Sequence, residues 1–243
     1  MTQQIKDQLA PTGVLRVGLN MSNFLLVNSQ SESGAPDGVS PAIARALADK
    51  LGVEVELIQF KGPGDVADAA ADDVWDIANI AAEPERAKSI EFSPPYCEIQ
   101  ATYLLPPGSF LKSVAEVDAA GNRIAAKGRA AFELWLSDNL GQARVVQTSS
   151  HDTAFEAFVE QKLEALAGLR PKLLQQQALL PGSVLLEESF TSVKQSIGCK
   201  PGNVEAAAFI KAFVQHAVAS GEVQTLIDKY QVSGKLSVPS VQD

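Results

Sequence analysis

Short β-rich runs separated by helical segments recur along this chain, stop, and start again. That rhythm restricts the fold more than any other feature. Residues 14–19, VLRVGL, form a compact run that polar residues end. SPAIARALADKLG, 40–52, follows as a helix. Ser40 stands where a cap would, Pro41 suits a first turn, and Gly52 suits a C-terminal stop. Ile43, Ala44, Leu47, Ala48 and Leu51 share one helical face. VEVELIQF, 53–60, alternates as a strand does, an Ala-rich helix is expected over about 64–72, and WDIANIA, 75–81, reads as a third strand. This order predicts an α/β fold with a largely parallel sheet.

After Tyr96 the rhythm restarts. YCEIQATYLLP, 96–106, is extended and NRIAAK, 122–127, is a strand. AAFELWLSDNLG, 130–141, is an amphipathic helix that Gly141 is placed to end. ARVVQT, 143–148, HDTAFEAFVEQ, 151–161, LEALAG, 163–168, and RPKLLQQQ, 170–177, continue the alternation. FTSVKQSIGCKPGN, 190–203, is again extended, and two helices, about 204–219 and 222–230, flank Gly221. Two α/β units joined by two extended segments account for this order.

Composition narrows the function. The 243 residues suffice for two lobes of about 100 residues each. A formal charge of −9 argues against nucleic acid or an anionic membrane surface as a partner. Cys97 and Cys199 form no CxxC, and His151 and His216 stand apart, so no metal site and no cofactor are expected. No run is long enough to insert in a bilayer. The opening MTQQIKDQLAPTG has no apolar h-region and does not read as a signal peptide.

The segments LRVGLN, DGVSPAIARALADKLGVEVELI, WDIANIAAEPERAKSIEFSPPY and SIGCKPGNVEAAAFIKAFVQHAVASGEVQTLIDKY carry a resemblance. Over about 14–230 the chain resembles the family 3 solute-binding proteins, periplasmic receptors that deliver amino acids to ABC importers. The third segment is similar to the family's "D…TPERxxxxxFSxPY" signature. The resemblance implies a type II periplasmic-binding-protein fold, α/β, with mixed sheets flanked by helices and a two-strand hinge. It places lobe 1 at 1–98 and 196–243 and lobe 2 at 99–195, closing on a small carboxylate ligand. It also implies a monomer, an ABC permease as partner, and a periplasmic location, with a cytoplasmic one left open by the N-terminus.

By the same resemblance, Arg86 takes the place of the arginine that binds a ligand carboxylate. A guanidinium presents parallel N–H donors that fit a carboxylate. From residue type alone, Arg86 pairing with Glu83, Glu85 or Glu91 on the surface is the competing reading. Phe24 stands where family members stack an aromatic ring, with core packing as the alternative. Asn20 and Asn23 lie in the same loop, at the carboxyl end of a strand. Ala81 and Ala82 replace the hydroxyl residues the family carries ahead of the arginine, leaving backbone N–H groups to serve. In lobe 2, Arg129 and Ala130 after Gly128 replace a GTT-like turn opening a helix. Ser192, with Thr191 and Gln195, lies near the second extended segment.

The largest departure follows LEALAG. Amino-acid receptors of this family place an aspartate there for the ligand's α-ammonium, whereas this chain has Leu169 and then Arg170. An enclosed ammonium without a partner costs several kcal/mol. The expected ligand therefore carries a carboxylate without an α-ammonium, and Arg170 offers a second anion site, or else caps the following helix or lies on the surface. Two other functions compete. One is a lyase of the same fold similar to cyclohexadienyl dehydratases, with Glu133 and Glu164 as its nominated acids. The other is a cytosolic ligand sensor. Trp75 and Trp135 are expected in the core, and Cys97 and Cys199 as buried thiols near the hinges.

Overall fold

The computed structural model describes residues 2–239. It divides into two compact units, Met1–Glu98 with Lys194–Asp243, and Ile99–Val193. The chain passes from the first to the second inside one strand and returns inside another.

Unit 1 opens with α1 (Gln3–Leu9) and β1 (Val14–Asn20), then a hairpin of β2 (Ser29–Gln30) and β3 (Pro36–Asp37). Helix α2 (Val39–Leu51), β4 (Glu54–Phe60), α3 (Pro63–Asp68), β5 (Ile77–Ala81) and β6 (Glu91–Phe92) follow. Strand β7 (Cys97–Leu105) then leads into unit 2. β1 lies between β4 and β5 and runs parallel to both. Its Leu15, Val17 and Leu19 are fully buried. β4 is paired on one side and alternates exposed with half-buried residues, as an edge strand does.

Helix α2 buries Ile43, Ala44, Leu47, Ala48 and Leu51 on the face that the periodicity predicts. Burying each Leu or Ile there contributes about 1.5–3 kcal/mol. Gly52 closes the helix in the left-handed conformation. The N-terminus differs from expectation. Gly38 is the cap, at φ 145°, and Ser40 lies one residue inside the helix. A Cβ on Gly38 would come within 2.3 Å of the Leu26 carbonyl oxygen, so the hairpin enters the helix through a turn only glycine fits. Ser40 is buried instead, its hydroxyl 3.2 Å from the Tyr96 hydroxyl and its carbonyl accepting from Asn79 Nδ2. Trp75 joins Val66, Ala78, Ile80 and Ile90 in the core, and its Nε1 donates to the Val66 carbonyl at 3.0 Å.

Unit 2 contains α4 (Val114–Val117), β8 (Arg123–Lys127), α5 (Ala131–Asn139), β9 (Arg144–Thr148), α6 (His151–Glu160), β10 (Ala165–Leu169), α7 (Arg170–Leu179) and β11 (Val184–Leu185). β8 runs parallel to β9 and β10, and β7 pairs antiparallel with β10 and β11. Leu104, Ala125, Phe158, Leu163, Leu166 and Leu173 form its core. Trp135 is half-buried and packs 5.4 Å from Phe190, which in turn lies 4.6 Å from Tyr103. Gly141 does not end α5: Leu140 does, and the Gly141 N–H donates to Asp118. That carboxylate also accepts from the N–H groups of Gln142 and Ala143, which fixes the turn without a left-handed residue.

Strand β12 (Thr191–Cys199) returns the chain to unit 1, where its later residues pair antiparallel with β5 and β6. Helices α8 (Val204–Ala219) and α9 (Glu222–Lys229) complete unit 1. α8 packs on α1, and α9 on α2. Cys97 and Cys199 are both buried and free. Burial pushes the Cys199 thiol up to about 12, and the negative charge of Glu91 adds to the effect.

Candidate functional site

Open parallel sheets bind ligands at the carboxyl ends of their strands. In unit 1 those ends are Asn20, Phe60 and Ala81. The β1 loop is shaped by its own side chains. Asn20 Oδ1 accepts from the Ser22 N–H and hydroxyl at 3.1 and 2.8 Å. Asn23 is buried, with Oδ1 accepting from the Leu25 N–H at 3.3 Å. These two asparagines thereby fold the loop that carries Phe24, which is half-buried.

Arg86 opens a 3₁₀ turn over 86–88 just beyond β5. It is only 4% exposed. Its Nη1 donates to the Ala81 carbonyl at 2.9 Å, which holds the guanidinium at the end of β5. Its own carbonyl accepts from the Ser89 and Ile90 N–H groups, fixing the turn. Ala81 is buried at the strand end. The Ala82 N–H donates to the Lys194 carbonyl at 3.0 Å, so that donor is spent on extending the β5–β12 pairing.

A cleft of about 490 Å³ opens in the same unit. Met21, Phe24 and Val27 of the β1 loop, the hairpin residues Ser29, Gln30 and Pro36, and Gln59 of β4 line it, together with Asn28 and Gly34. The hairpin was not anticipated from sequence. Its signals were present in Gly34 and the Asp37–Gly38 pair, flanking runs too short to show alternation.

In unit 2 the parallel strands end at Lys127, Thr148 and Leu169, each followed by a helix. Arg129 is exposed and takes a left-handed conformation, φ 62°, and Ala130 is the apolar cap of α5. The Arg129 N–H donates to Glu133 Oε2 at 2.8 Å. Glu133 is 1% exposed, and its Oε1 accepts from Ser137 Oγ at 2.8 Å and Gln147 Nε2 at 2.7 Å. Glu164 lies at the other end of the sheet, accepting from Arg123 Nε and Nη2 at 3.0 and 2.9 Å. Both acids nominated for catalysis are thus engaged within unit 2.

Leu169 is buried and caps α7. Arg170, the first residue of α7, donates from Nε to Gln100 Oε1 at 2.8 Å and from Nη1 to the Leu186 carbonyl at 3.1 Å. Its Nη2 donates to the Glu187 carbonyl and the Ser189 hydroxyl. The guanidinium therefore clamps the segment after β11. Ser192 is half-buried in β12.

His151 opens α6 and stacks on Phe132, ring centroids 6.0 Å apart. Burial, and then the neighbouring charges of Lys127 and Lys172, pull its pKa down to about 4, against a smaller opposing effect of Asp152. Sequence reasoning passed over it as an isolated histidine. Among the described residues no cluster of three His, Cys, Asp or Glu side chains is placed to hold a metal ion.

Comparison with known proteins agrees with this architecture. The profile of the bacterial extracellular solute-binding proteins, family 3, matches residues 15–233, and the chain belongs to that family. A putative ABC-transporter binding component from Wolinella succinogenes, complexed with lysine, is 19% identical with a TM-score of 0.74, covering 92% of this chain and 97% of its own. An amino-acid ABC transporter substrate-binding protein from Streptococcus pneumoniae, bound to L-arginine, is 20% identical with a TM-score of 0.73 and the same coverages of 92% and 97%. An ancestral amino-acid-binding protein, a precursor of cyclohexadienyl dehydratase, is 22% identical with a TM-score of 0.72, covering 94% and 99%. The fold is that of the type II periplasmic binding proteins. No curated protein sequence matches the chain. The family is extracellular or periplasmic, and no described helix is long and apolar enough to cross a membrane.

Proposed function

We propose that the protein captures a small carboxylate for an ABC importer, with Arg86 as the carboxylate anchor and the two compact units acting as its lobes. Residues 1–98 with 196–243, and 99–195, are the lobe assignments this reading uses. The observation that carries it is the burial of Arg86 at the carboxyl end of β5, held on the Ala81 carbonyl. A cation kept out of water favours a carboxylate far more than an exposed one does. Phe24, at the cleft in unit 1, supplies an apolar surface for the rest of the ligand.

The ligand class is a carboxylate without an α-ammonium. The relatives bound to lysine and arginine are amino-acid receptors, but here the apolar Leu169 closes β10. The neighbouring Arg170 is itself a cation and supports no ammonium, and its donors are committed to Gln100, Leu186, Glu187 and Ser189. Binding rather than catalysis is favoured by the commitments of Glu133 and Glu164 described above.

Native mass spectrometry of the purified protein, followed by a thermal-shift screen of keto acids, dicarboxylates, aromatic acids and free amino acids, tests the reading. A ligand at a hundredfold excess over Kd adds roughly 2.7 kcal/mol of stability. Stabilisation by the acids is expected. Stabilisation by a neutral amino acid alone would show the ligand class to be wrong.

A further inference from the structure

The cleft in unit 1 differs from the surroundings of Arg86 in one chemical respect. None of the described residues that line it carries an ionisable side chain. Gln30 and Gln59 each offer an amide donor and an amide acceptor, while Met21, Phe24 and Pro36 offer apolar surface. Such a lining matches an uncharged group with amide polarity better than a second acid or an amine. A charged group would have no opposite charge among these side chains.

The wall of the cleft is anchored. Asp37, at the end of the hairpin, accepts from Arg45 Nη1 at 2.6 Å and from the Tyr230 hydroxyl at 2.9 Å. Arg45 Nη2 donates to the Pro36 carbonyl at 2.9 Å, and Asn28 Nδ2 donates to the Tyr230 carbonyl at 2.8 Å. The hairpin is thereby tied to α2 and to the residue that ends α9. Burial pushes the Asp37 carboxyl up, but the hydrogen bonds from Tyr230, Arg45 and the Gly38 N–H outweigh it and hold the carboxyl below its ordinary range.

The register relates this cleft to Arg86. Gln59 is opposite Leu19, and Leu19 is opposite Asn79, two residues before Ala81. Two strand spacings of about 4.8 Å across the sheet and two residues, about 6.6 Å, along it separate Gln59 from Ala81, so Gln59 and the Arg86–Ala81 contact lie roughly 12 Å apart. That is about the length of three to four residues of extended backbone. A free amino acid is too short to use both.

We propose that this cleft is a second subsite of the ligand-binding site, taking the uncharged, amide-bearing arm of an elongated carboxylate whose acid group Arg86 holds. The proposal rests on the assignment of Arg86 as the anchor. The chemical class is that of N-acylated amino acids and short N-blocked peptides with a free carboxylate.

Calorimetry with N-acetylglycine and with N-acetylated dipeptide acids tests it on the wild type and on Gln59→Glu, Phe24→Ala and Arg86→Ala. Melting curves of each variant verify folding. Gln59 is exposed, so its substitution leaves the core intact. The longer acids are expected to bind about tenfold or more tightly than N-acetylglycine. Gln59→Glu and Phe24→Ala are expected to remove that gain, and Arg86→Ala to remove binding of both acids. Equal binding of short and long acids, or cleft variants without effect while Arg86→Ala still abolishes binding, overturns the subsite and leaves the Arg86 assignment standing. Length-dependent binding that survives Arg86→Ala overturns that assignment and the linked subsites with it. Failure of every acid to bind the wild type also overturns the proposal.

Discussion

In unit 1, strands β4, β1 and β5 end among Gln59, Asn20, Asn23, Phe24, Ala81 and the buried Arg86. In unit 2, β8, β9 and β10 end among Lys127, Arg129, His151 and Arg170. On residue types alone the second set looks the better anion site. The hydrogen bonds distinguish them. Arg170 directs Nε, Nη1 and Nη2 at protein oxygens of its own unit, and the Arg129 backbone N–H is fixed by a buried carboxylate. Arg86 is oriented by the Ala81 carbonyl at the edge where open sheets take ligands.

The largest change in stability is expected at Glu133. If the carboxylate is structural, Glu133→Ala leaves the Arg129 N–H, Ser137 and Gln147 without their acceptor and costs about 3 kcal/mol. Urea unfolding measures it. A loss below about 0.5 kcal/mol would free Glu133 for a chemical role.

His151 supplies a pH dependence of similar size in unit 2. Its folded pKa, about 4, lies below the ordinary 6.5, so the unfolded chain takes up the proton first. Its contribution is complete above pH 6.5, is lost as pH falls towards 4, and changes no further below that. The loss amounts to about 3 kcal/mol. Urea midpoints measured between pH 7 and 4 should fall more steeply for the wild type than for His151→Gln. Parallel curves would mean that the imidazole titrates normally.

Gly38→Ala tests unit 1. The substitution forces a Cβ against the Leu26 carbonyl at a positive φ and should cost about 2 kcal/mol. Because Gly38 follows the hairpin, the melting temperature is expected to fall together with affinity for the longer acids. Unchanged melting would show that the turn relaxes freely.

Which features could be read from sequence follows from the range of the forces involved. The elements β1, α2, β4, β5, β8, α6 and α8 were legible because alternation, helical faces and Gly52 act within a few residues. Ser40 and Gly141 were misplaced because Gly38 and Asp118 took over their tasks, one through an unusual backbone angle and the other through a carboxylate more than twenty residues away. The β2–β3 hairpin was missed because its strands are two residues long. The segment around Arg86 was legible as a family match, whereas the clamp formed by Arg170 depends on Gln100 and on the segment after β11.

That clamp gives the smallest expected effect. Arg170→Ala should lower the stability of unit 2 by about 1–2 kcal/mol and leave affinity for a bound acid within about twofold. A tenfold loss of affinity with unchanged stability would move Arg170 into the ligand site.

In the proposed reading Arg86 anchors a carboxylate. Titration calorimetry of the acid found by the ligand screen, against the wild type and Arg86→Ala at matched folding, tests this. A loss of about 2–5 kcal/mol in binding free energy is expected, which weakens a micromolar ligand by roughly 30-fold to several thousand-fold. Affinity retained within twofold would contradict it.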